Sequence, residues 1–166
     1  MNIHVLTDRL VAAAGGMYGD RMKFFREGCE SPHVSEIIRE LGLDFITPAQ
    51  AQDRGNRNGG EYRIPVRYGD IEGIARYRVL DWAGASARSI IYHHGSGETR
   101  YADRIRKISS AMDGYGACNL VAVSVPFNSG MKEYLHGVGS LARFAFMLAS
   151  SVRLTEEIVR YLRFLG

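Results

Sequence analysis

The run Ser89-Ile90-Ile91-Tyr92 passes directly into His93-His94-Gly95-Ser96-Gly97-Glu98, and this junction restricts the fold more than any other stretch of the chain. The apolar run is too short for a helix and does not alternate, which is the pattern of a strand buried on both faces of a parallel sheet. Beyond the corner, Tyr101 to Met112 reads as a helix. Ile105, Ile108 and Met112 point inward, and Arg104, Arg106 and Lys107 point outward. Gly114 and Gly116 end it. An apolar strand that stops at a glycine-rich turn before a helix offers backbone N–H groups to an anion.

A second buried strand follows at Asn119-Leu120-Val121-Ala122-Val123-Ser124-Val125, stopped by Pro126. Two such strands joined through a helix form a βαβ unit, right-handed almost without exception. Upstream, Tyr62, Ile64, Val66 and Tyr68 alternate with Arg63, Pro65 and Arg67, which is period two and predicts a half-buried strand. Pro65 suits an edge strand. Gly69-Asp70 and Gly73 mark a hairpin turn into a second strand at about 74–81, where Ala75, Tyr77 and Val79 alternate with Arg76 and Arg78. These four arginines fit either a basic ribbon or a solvated face kept charged against pairing, and the second reading is favoured.

Residues 1–60 read as a helical lead-in and linker. Ser35 is the expected N-cap of a helix ending at Leu41 and Gly42, and the Gln-, Asn- and Gly-rich stretch 47–60 is a loop. Residues 61–166 form the main unit. Within it, 127–139 reads as a glycine-containing loop and everything from Ser140 as helix. That helix carries one stripe of Leu141, Phe144, Leu148, Val152, Thr155, Val159 and Leu162. The fold class is α/β, an antiparallel hairpin plus two parallel strands flanked by helices.

Composition removes several function classes. The net charge of +3 is spread along the chain with no run of basic residues, so nucleic acid is not an expected partner. Cys29 and Cys118 have neither metal spacing nor a disulfide framework, as expected of thiols in a reducing cytoplasm. No apolar run approaches a membrane span, and Asp8 and Arg9 interrupt any signal-peptide core. No cofactor motif is present: Gly95-Ser96-Gly97 is too short for a P-loop, and Arg100 stands where a dinucleotide fingerprint needs its third glycine.

The order hairpin, strand, His-Gly corner, helix, strand, long helix resembles the N-terminal half of the α/β-hydrolase fold over residues 61–166. In that family the loop after the third strand carries a His-Gly-X motif whose backbone N–H helps hold a tetrahedral oxyanion. The resemblance implies that Ser96 supplies the donor, that Gly95 lets the backbone approach the substrate, and that His94 and Gly97 shape the loop. His93 and Glu98 would support it, and Glu98 fits a helix N-terminal charge equally well. It implies a serine esterase acting on a small acyl substrate through an acyl-serine intermediate.

The family's nucleophile motif, Gly-X-Ser-X-Gly, is absent. Ser140, in Val138-Gly139-Ser140-Leu141-Ala142, lacks the first glycine and reads as a helix N-cap. No catalytic serine, acid or histidine is identifiable, so the expectation is a truncated hydrolase, inactive alone. The family's next strand would pair beside Ser89–Tyr92, and without it that edge is open to self-association. The alternative is a small non-catalytic α/β module that binds an anion or assembles through its sheet edge.

Overall fold

A computed structural model describes residues 33–47, 61–84, 86–93, 102–112, 114 and 116–165. Helix α1 (Val34–Glu40) leads into a two-residue strand β1 (Gly42–Leu43). Then come the hairpin strands β2 (Glu61–Tyr68) and β3 (Ile71–Asp81), strand β4 (Arg88–His93), helix α2 (Ala102–Met112), strand β5 (Cys118–Ser124), helix α3 (Met131–Val138) and helix α4 (Leu141–Leu165). The strands form one mixed sheet in the order β1-β2-β3-β5-β4. β4 runs parallel to β5, and the other neighbours are antiparallel.

The hairpin follows from its alternation. Ile64, Val66, Ala75 and Tyr77 are buried on one face. Gly69 takes φ +53 at the first turn position while Asp70 stays negative, the arrangement of a type II′ turn that matches strand twist. Gly73 lies inside β3 rather than in the turn. An added Cβ there would stand 2.7 Å from Cβ of Pro126, so the strand needs glycine for close approach. Pro65 sits just past the pairing of β1 with Val66 and Arg67, where the ladder asks for no further outward N–H. Three of the four arginines are paired: Arg67 lies 2.6 Å from Glu72, and Arg76 and Arg78 lie 3.7 and 3.4 Å from Glu61.

β5 lies between β3 and β4 and is buried from Cys118 to Val123. Its alternate residues serve two layers. Val121 and Val123 join Ile37, Phe146, Leu154 and Ile158 in the main core beneath α4 and α1. Cys118 and Leu120 pack on the other face with Leu80, Tyr92, Ile105 and Ile108 of α2. Ile37 and Leu41 belong to the same core as Ile64 and Val66, so residues 33–47 pack on the sheet.

Four further expectations need correction. α1 begins at Val34, capped by the backbone of His33 and not by Ser35, and Leu41 leaves it in an extended conformation that feeds β1. The loop at 127–139 contains α3. The glycines conceal this helix in the sequence, but Gly137 is there because a Cβ would meet Met147 Sδ at 2.6 Å and Phe127 Cβ at 2.8 Å. α4 is a single helix of 25 residues, about 37 Å long. Its buried face is Ala145, Phe146, Ala149, Ser150, Leu154 and Ile158, whereas Leu148 and Val152 of the expected stripe are 45% and 43% exposed. Small side chains let the helix lie close to the sheet, and a reading weighted by apolar size misses them. Finally, β4 is not buried on both faces. Among the described residues it is an edge strand, and Ile90 is 37% exposed.

Candidate functional site

β4 is held at both ends by side chains from its neighbours. At its start, the fully buried Asn119 of β5 donates through Nδ2 to the carbonyl of Gly84 at 2.9 Å and to Ser89 Oγ at 3.1 Å. Its Oδ1 accepts the Ala83 N–H at 2.8 Å. A buried amide with these partners recovers the cost of its desolvation. The turn before the strand uses Gly84 at φ +118, and its carbonyl also accepts the Ala87 N–H.

At its end, His93 reaches α4. Its Nδ1 lies 3.1 Å from Ser151 Oγ and its Nε2 lies 2.7 Å from Thr155 Oγ1. The Thr155 hydroxyl donates to the Ser151 carbonyl at 2.8 Å. That donation uses Thr155's proton, so its oxygen accepts from Nε2–H. When the ring is neutral, this pattern leaves Nδ1 bare to accept the Ser151 hydroxyl proton, so the network favours the Nε2–H tautomer. Ser151 and Thr155 can do this because residues four apart share one helix face.

This cluster stands at the carboxyl end of the parallel pair β4 and β5, the end at which open α/β sheets bind ligands. Of the residues expected in the oxyanion loop, His94, Gly95, Ser96, Gly97 and Glu98 lie outside the described residues. His93 is described, and it is a link between strand and helix. Its partners were not foreseen. They are separated from it by 58 and 62 positions, and a helix-borne Ser and Thr carry no signal in a single sequence. Ser140 precedes α4 directly, is buried, and accepts the Phe144 N–H through its carbonyl at 3.0 Å, as a residue in the N-cap position does.

Among the described residues, no group of three His, Cys, Asp or Glu is placed to hold a metal ion. No single helix among them is long and apolar enough to cross a membrane. α3 and α4 reach that length and composition only as a pair bent by 111°, and α4 spends its buried face on the sheet. Cys118 is a buried free thiol.

No protein-family model, curated protein or solved structure matches this chain.

Proposed function

We propose that the chain is the N-terminal part of an α/β-hydrolase-type serine hydrolase that acts on an ester or related acyl substrate. In this reading His94, Gly95, Ser96 and Gly97 form the oxyanion loop, and the nucleophile and its partners come from sequence outside this chain. The observation that carries the reading is the position of β4. It lies outermost, beyond β5, with no strand on its far side among the described residues. That is where the family's nucleophile strand would pair. The link from His93 to α4 fixes the strand end from which the loop departs, and donors aimed at a developing oxyanion need a fixed base.

The coding sequence downstream of Gly166 tests this. A further apolar strand followed by Gly-X-Ser-X-Gly is expected, and a protein extended through it should be labelled by a serine-directed phosphonate. The purified 166-residue chain is expected to give no turnover of a p-nitrophenyl ester. Robust turnover that the phosphonate abolishes would refute the absence of a nucleophile here. A stop codon directly after Gly166 across relatives would refute the hydrolase reading.

One observation favours a second reading, an assembly module. Ile90 is exposed on the open strand, and an apolar edge is a template for pairing with another chain. Self-association that Ile90→Lys abolishes is its expected mark. Cytoplasmic placement, where thiols such as Cys118 stay reduced, belongs to the same proposal.

A further inference from the structure

A cavity of about 490 Å³ opens between the sheet and the C-terminal half of α4. It lies beside the strand ends opposite to the His93 cluster. Val79 and Trp82 line it at the end of β3, and β3 runs antiparallel to β5. Phe45, Tyr62, Tyr77, Trp82 and Tyr161 form its aromatic wall, and the rest of the lining is aliphatic, from β3, β5 and α4. Tyr62 and Tyr77, a cross-strand pair, stack at 4.6 Å between ring centroids. Phe45 continues the row at 5.6 Å from Tyr77.

We infer that this cavity is a binding site for an uncharged, planar aromatic small molecule bearing a hydrogen-bond acceptor. Its volume lies in the range of small-ligand pockets. Among the described residues, the lining offers no Asp, Glu, Lys, Arg or His to neutralise a charged ligand. Of its three tyrosines, Tyr77 already donates to the Ile46 carbonyl at 2.5 Å. The hydroxyls of Tyr62 and Tyr161 and the indole N–H of Trp82 make no hydrogen bond among the described residues, which leaves donors for an acceptor on the ligand. Trp82 is 47% exposed, unusual for the chain's single tryptophan beside a wall of aromatic rings.

The composition of the chain bears on what fills the cavity. Residues 48–60 leave next to Phe45 and return next to Tyr62, so this segment begins and ends near the wall. It consists of Pro, Ala, Gln, Asp, Arg, Asn and Gly, with no aromatic or large aliphatic side chain to place inside. This segment supplies no apolar filling, and the cavity's volume is that of a small-molecule site.

Prodan, an uncharged naphthalene ketone, is a suitable probe for the full chain. The expected result is saturable one-to-one binding, a blue shift of Prodan emission and energy transfer from Trp82. Val79→Phe, which fills the cavity from β3, should weaken binding about tenfold with the melting temperature preserved. Trp82→Ala, at a half-exposed position, should weaken binding and abolish the energy transfer, and it carries the test if Val79→Phe fails to fold. Leu148→Ser, on the exposed side of α4, should leave binding unchanged. The inference is overturned if binding does not saturate, or if Val79→Phe folds and binds as the parent does. It is also overturned if Trp82 of the free chain is shielded from acrylamide, because residues 1–32 or a second copy then occupy the cavity. None of these outcomes bears on ester hydrolysis, so the two proposals fail separately.

Discussion

His93 Nδ1 and Ser151 Oγ stand 3.1 Å apart, and this contact joins the end of the edge strand β4 to the middle of α4, 58 positions away in sequence. Together with Asn119 at the other end of β4, it holds an edge strand that has one strand neighbour among the described residues. An exposed strand of six residues has little packing of its own, and polar links at its two ends supply part of what a second neighbour would give.

The tautomer is the first testable consequence. Two-dimensional nitrogen–proton NMR of the imidazole should find His93 protonated at Nε2 and bare at Nδ1 in its neutral form. The opposite tautomer would require Thr155 to give up its bond to the Ser151 carbonyl. Ser151→Ala removes one partner at a solvent-accessible site and should cost about 0.5–1 kcal/mol in a denaturant melt.

Asn119→Ala is expected to be more damaging. It leaves the Ala83 N–H without its acceptor, takes one of two donors from the Gly84 carbonyl, which keeps the Ala87 N–H, and opens a small void beside β5. A loss of about 2 kcal/mol is expected. Hydrogen exchange should show amides of β4 opening before those of β2 and β3. Uniform loosening across the sheet would show that Asn119 acts on the whole core rather than on β4.

What could be read from the sequence depended on whether the pattern was local. Arg63 to Tyr68 and Ala75 to Val79 alternate, and the hairpin is visible in them. Leu120 to Val123 is unbroken and apolar because helices cover both faces of β5, so it too was legible. β4 carries the same pattern at Ser89–Tyr92 yet is only partly buried, because burial depends on neighbours that the run itself does not specify. In α4 the larger apolar residues Leu148 and Val152 drew the eye, while the sheet is met by Ala145, Ala149 and Ser150. α3 was hidden by glycines whose reason is tertiary, the contact of Gly137 with Phe127 and Met147. The link from His93 to Ser151 and Thr155 exists only after the chain has folded.

Ser150 leads to a stabilising substitution. It is fully buried on α4, and its hydroxyl has no hydrogen-bond partner. Ser150→Ala removes a desolvated polar atom and adds helix propensity, so the chain should gain about 1 kcal/mol. A higher melting temperature with unchanged circular dichroism is the expected observation. A loss of stability would mean that the hydroxyl is satisfied in solution.

Tyr77 sets an alkaline limit on stability. Burial raises its pKa above the ordinary value of 10.0, and the neighbouring Tyr62 raises it further. Its hydroxyl donates to the Ile46 carbonyl, a bond that exists only in the protonated form. The unfolded chain releases this proton near pH 10 and the folded chain holds it. The stabilisation is therefore complete below about pH 10 and is lost as pH rises above it. Thermal melts from neutral pH to about pH 11 should show the decline, and phenolate absorbance should show one tyrosine ionising only as the chain unfolds. Tyr77→Phe should cost about 1 kcal/mol at neutral pH, because Ile46 loses its donor, and should flatten the alkaline decline. If the decline persists unchanged in that variant, another group is responsible. If Tyr77 ionises in the folded chain at its ordinary pKa, the hydroxyl is not buried as described.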